Sequence, residues 1–100
     1  MYGNVLQIMP AQPSWEAVYV VPKNQRIKMS YSTKPLNCWA VVEFKSSDQQ
    51  SFSTVVVGMV AVEDSQVLDF ADMVGDFLGY NYPGCNINWH LKAMEHRNAK

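Results

Sequence analysis

The sequence predicts an α+β fold. It is read as a curved antiparallel sheet or half-barrel of five to six strands in a meander. The sheet packs against one main α-helix over about residues 65–78, and a C-terminal strand or short helix follows. Three observations predict this. Up to Glu63 the chain falls into short runs rich in β-branched and aromatic residues, separated by turn residues. From Ser65 to Leu78 the apolar period changes from two to that of a helix. The chain has 100 residues and a hydrophobic fraction of 48%, enough for one domain, 1–100, with a thin core.

The elements follow in order. Asn4–Met9 is a short strand, ended by the Pro10–Pro13 loop. Trp15–Val21 is a second, and Pro22-Lys23-Asn24 a turn. In Gln25–Ser32, Ile27, Met29 and Tyr31 alternate with polar residues, the mark of a strand with one wet face. Residues 32–37 are read as a break, Cys38–Lys45 as a fourth strand and 46–50 as a hairpin loop. Ser51–Glu63 is a long fifth strand, apolar on both faces in its middle. Gly58 there permits curvature or close backbone approach. Short loops between these runs favour antiparallel neighbours.

The helix expected over 65–78 places Val67, Leu68, Phe70, Ala71, Val74, Phe77 and Leu78 on one side and Asp69, Asp72 and Asp76 on the other. Asp64 or Ser65 caps its start and Gly79 its end. Residues 86–92 fit two patterns. As a strand they align Ile87, Trp89 and Leu91. As a helix they align Ile87, Leu91 and Met94, and turn Trp89 outward. The value of burying a tryptophan favours the strand.

Function classes narrow by exclusion. The formal net charge is −1, so no global field draws in nucleic acid or an anionic membrane. The longest apolar run, Val55–Val62, is far short of the roughly 20 residues that cross a bilayer. With no signal peptide pattern at the start, the expected location is cytoplasmic, with Cys38 and Cys85 as reduced thiols. Walker, Gly-x-Gly-x-x-Gly, Gly-x-Ser-x-Gly and His-Glu-x-x-His motifs are absent. Cys85, His90 and His96 lack the paired spacing of a zinc site, so no metal and no cofactor is expected.

Chemistry-bearing residues crowd into residues 79–90. Cys85 and His90 are the weak catalytic candidates, a nucleophile and a base. Turn chemistry alone accounts for Tyr82-Pro83-Gly84-Cys85, as a type II turn with proline and glycine at its centre. Lys23, Arg26, Lys28 and Lys34 make a modest basic group. It is read as protection of an edge strand in preference to a single-stranded nucleic-acid surface. The three helix aspartates are read as a solvated face.

One feature bears on function directly. One helix covers one face of a sheet, yet three of the strands are apolar on both faces. The remaining face must curl into a barrel, meet another chain or hold an apolar ligand. The leading expectation is a small non-enzymatic interaction module that forms a homo-oligomer, such as a dimer, or binds a protein partner through that face. The alternative is a small apolar-ligand-binding domain whose cavity is lined by Trp15, Tyr19, Trp39 and Trp89. A Cys85/His90 enzyme ranks below both.

Overall fold

The computed structural model describes residues 3–22, 29–45, 51–62 and 67–98. They form an α+β fold of two antiparallel sheets and a C-terminal helix. The strands are β1 (Val5–Pro10), β2 (Glu16–Val20), β3 (Tyr31–Pro35), β4 (Cys38–Lys45), β5 (Phe52–Ala61), β6 (Leu68–Phe70) and β7 (Phe77–Asn81); the helix α1 spans Trp89–Asn98. The larger sheet has the order β1-β4-β5-β6 and the smaller β3-β2-β7. The expected single sheet is therefore two, with seven strands among the described residues, and neither closes into a barrel. Only β4-β5-β6 keeps the expected meander of sequence neighbours.

The two sheets face each other. Cross-strand partners in a ladder share a face. Trp39 is opposite Gly58 in the larger sheet, and Ala17 opposite Tyr80 in the smaller. The Tyr80 hydroxyl accepts a hydrogen bond from the Gly58 amide at 2.9 Å, which ties the sheets together at their middle. A methyl group at Gly58 would stand 2.7 Å from Leu36 and 2.8 Å from the Tyr80 ring, so this approach requires a residue without a side chain. Between the sheets, Ala17, Tyr19, Val60 and Ala71 form a buried cluster, flanked by Leu36, Val74, Phe77 and Tyr80.

Helix α1 covers the other face of the smaller sheet. Trp89 lies against Gly79, where an added methyl would meet its ring at 3.0 Å. Gly79 pairs with Val18, and alternation turns both away from Ala17 and Tyr19. β2 is thus sandwiched between the larger sheet and α1. That explains its unbroken apolar run, with Ala17 to Val21 all buried.

Two expected elements are corrected. No α-helix occupies the described part of 65–78; instead the chain runs through β6, a short 3₁₀ helix at Ala71–Met73, and β7. The apolar spacing fits a helix, but Val67, Phe70, Val74, Gly75, Phe77 and the three aspartates are weak helix formers. Strand pairing satisfies the backbone more fully: Phe70 pairs with Met59 on β5, and Gly79 with Val18 on β2. Gly79 is accordingly a strand residue and not a helix stop. The proposed caps, Asp64 and Ser65, lie outside the described residues.

The second correction is the C-terminal segment, which is helix α1 and not a strand. Asn88 supplies its N-cap, accepting the Leu91 amide on its side-chain oxygen at 3.0 Å. The buried stripe is Trp89 and Ala93, four residues apart, while Ile87 and Leu91 are exposed. The Arg97 side chain donates to the Val21 carbonyl from two of its nitrogens, fastening the far end of the helix to the end of β2.

A smaller difference concerns residues 32–37, read as a break. They hold most of β3, an edge strand that ends in Pro35, where a missing amide costs the ladder nothing. Lys34 sits on that edge strand, opposite Ala17. Lys23, Arg26, Lys28 and the 46–50 loop lie outside the described residues.

Candidate functional site

Two surface features carry apolar chemistry. The first is a row of aromatic rings along the seam between the sheets. Tyr82 stacks on Trp15 with centroids 4.7 Å apart, and Trp15 meets Trp39 edge to face at 5.7 Å. Trp39 contacts Tyr80 at 5.0 Å, Tyr80 contacts Phe77 at 5.0 Å, and Phe77 contacts Tyr19 at 5.9 Å. These offset and edge contacts are the favoured geometries of aromatic quadrupoles. The row runs from a buried end at Tyr19 to a partly exposed end at Tyr82.

Burial shapes the inner end. Tyr19 donates its hydroxyl to the Ala71 carbonyl at 2.7 Å. Desolvation, with Tyr80, Asp72 and Asp69 nearby, pushes its pKa up to about 12. Burial also raises Tyr80, against the lowering effect of the Gly58 amide. Both phenols are held neutral and structural.

The outer end is built by a loop and a turn. Ser14 has φ of 69°, a left-handed conformation uncommon for serine, just before Trp15. The Trp39 indole donates to the Gln12 side chain at 3.2 Å. Beyond β7, Tyr82-Pro83-Gly84-Cys85 makes the expected type II turn. Gly84 has φ of 86°, and the Cys85 amide donates to the Tyr82 carbonyl at 3.0 Å. A hollow of about 440 Å³ lies beside Trp15, between Gln12, Ser14, Pro35 and Leu36.

Of the four aromatic candidates, the structure brings Trp15 and Trp39 into contact and puts Tyr19 at the far end of the same row. Trp89 is elsewhere, as the first residue of α1, with its indole donating to the Asn81 side chain at 3.1 Å. Tyr80, Phe77 and Tyr82 complete the row, yet sequence reasoning did not select them. Tyr80 and Tyr82 alternate onto one face and a bulge brings Phe77 to it; the helical reading of 65–78 hid Phe77.

The second feature is the outer face and free edge of the larger sheet. Cys38, Ala40, Val42, Val55, Val57, Met59 and Phe70 share that face. Its centre is closed: Ala40, Val42 and Val57 are buried. Burial also raises the Cys38 thiol, which keeps it protonated and inert. The exposed apolar surface gathers at the margin, on β1. Val5, Leu6 and Ile8 are 44%, 54% and 62% exposed. Among the described strands β1 pairs only with β4, so its outer backbone edge is open.

The reactive pair shows a different arrangement. His90 is joined through Nδ1 to the buried Ser30 hydroxyl at 2.6 Å. Cys85 is a free, half-buried thiol in the turn. Among the described residues no hydrogen bond joins Cys85 to His90, and no three metal-ligating side chains gather. No described helix is long and apolar enough to cross a membrane.

Comparison with protein-family models, with curated proteins and with solved structures found no match for this chain.

Proposed function

We propose that the chain is a non-enzymatic interaction module that self-associates through the β1 edge of its larger sheet. The observation that carries this reading is β1 itself. It is an edge strand with no charged residue, and it presents three exposed aliphatic side chains beside an open backbone edge. Edge strands are commonly blunted by lysine, proline or a bulge. β3 has Lys34 and Pro35 for that purpose. β1 has a bulge only between Val5 and Gln7 and a proline only at its end. An antiparallel partner strand would complete the ladder and cover Val5, Leu6 and Ile8 at once.

Sedimentation velocity across the micromolar range tests this. The expected result is a concentration-dependent dimer, converted to monomer by Ile8→Lys with unchanged circular dichroism. A native chain that stays monomeric throughout overturns it.

A second reading is favoured by the outer end of the aromatic row. The Trp15 ring, stacked on Tyr82, lines a hollow that suits a flat apolar ligand. Strained backbone such as that at Ser14 tends to cluster at binding sites. Tryptophan fluorescence against a panel of apolar metabolites checks it: a response that vanishes in Trp15→Phe is expected, and a flat panel counts against the reading.

A further inference from the structure

Helix α1 does not cover the smaller sheet to its full width. Trp89 presses on Gly79 of β7, while Thr33 of β3, which shares that face with Val18, stays exposed. What remains is a groove of about 470 Å³, walled by Tyr31 and Thr33 on one side and Trp89 on the other. Its two ends are chemically distinct. Glu16 and Asn81 close one end, and Val21 and Met29 the other. Val20 is opposite Tyr31, and Glu16 opposite Asn81, which fixes the ends along β2. Four residue steps of strand separate them, about 13 Å at ~3.3 Å per residue.

The polar end is held in place. Asn81 donates its side-chain amide to Glu16 Oε1 at 3.2 Å, and its own oxygen accepts the Trp89 indole at 3.1 Å. One amide thus positions a carboxylate and an aromatic ring across the groove. A carboxylate offers two oxygens with several acceptor sites, and Asn81 fills one. Among the described residues no cation pairs with Glu16. On α1, the Lys92 ammonium stands over the Trp89 ring at 5.7 Å.

We propose that this groove binds a small organic amine. Its ammonium head pairs with Glu16, with the Thr33 hydroxyl beside it, and its apolar body lies along Trp89, Tyr31 and Met29. Charge decides the class. An anion would meet the carboxylate, and a neutral apolar molecule would bury its charge with only the Asn81 amide as partner. An ammonium gains a charge-assisted hydrogen bond there and the attraction of aromatic faces.

The test is calorimetric titration of the full chain with phenethylamine and with phenethyl alcohol, its neutral counterpart. The amine is expected to bind about tenfold or more tightly than the alcohol. Glu16→Gln, which keeps the Asn81 contact, is expected to erase that preference without shifting the thermal midpoint. Thr33→Lys places a cation in the groove from an exposed edge-strand position, and is expected to abolish amine binding while Glu16 and Asn81 stay intact. Equal binding of amine and alcohol, no binding of either, or an amine preference that survives Glu16→Gln overturns the proposal.

Discussion

Tyr19 shows how far one residue can carry the core. Its ring closes the inner end of the aromatic row, and its hydroxyl satisfies the Ala71 carbonyl at the 3₁₀ turn. Burial keeps the phenol neutral, with a pKa of about 12 against the ordinary 10.0. The sign of the linkage follows. In the unfolded chain Tyr19 loses its proton near its ordinary pKa, while the folded chain holds it. The stability due to neutral Tyr19 is therefore complete below pH 10.0 and is lost as pH rises towards about 12. Urea midpoints should fall steeply over that window. Tyr19→Phe should weaken the fall and cost about 1 kcal/mol at neutral pH through the lost hydrogen bond. An equally steep fall in that variant would assign the alkaline sensitivity to other groups, Tyr80 first. Glycine matters here through space. Gly58 lets the Tyr80 hydroxyl reach the β5 backbone, where the sequence left curvature and close approach both open.

At the scale of elements, α1 is the informative case. Its stripe is narrow, only Trp89 and Ala93 being fully buried, so packing alone fixes it weakly. The helix depends on its two ends: the Asn88 cap and the Arg97 clamp on Val21. Asn88→Ala should lower stability by about 1 kcal/mol, read as a shift in the urea midpoint. A neutral result would show that Trp89 anchors the first turn unaided. In the sequence, the value of burying Trp89 favours the strand; the helix buries Trp89 all the same. The 65–78 segment failed for the opposite reason. Its apolar spacing is helical, but β5 and β2 each offered an open edge, and pairing overrode a local pattern made of weak helix formers.

At the scale of the molecule, the layers are larger sheet, smaller sheet and helix. This order answers where the apolar faces go. β2 buries both of its faces, and the two sheets bury one face against each other. The larger sheet also outruns the smaller, so Val56 and Phe52, at its far end, are exposed. Its remaining apolar margin lies on β1. Association through that edge would rest on backbone pairing and aliphatic contact, so the dimer expected in sedimentation should persist in high salt. A dimer that dissolves as salt rises would point to charged surfaces instead.

By itself the sequence determined the class, the positions of β1, β2, β4 and β5, the type II turn at Pro83-Gly84, and the surplus of apolar faces. Each of these is local: alternation, turn residues and composition act over a few positions. Only the tertiary structure decided that one expected sheet is two, that residues 68–81 are strands, that Trp89 leaves the aromatic row for α1, and that Glu16, Asn81 and Trp89 meet across a groove. Those outcomes depend on which open strand edge lies within reach, and on contacts between residues far apart in the chain. No local pattern encodes that choice.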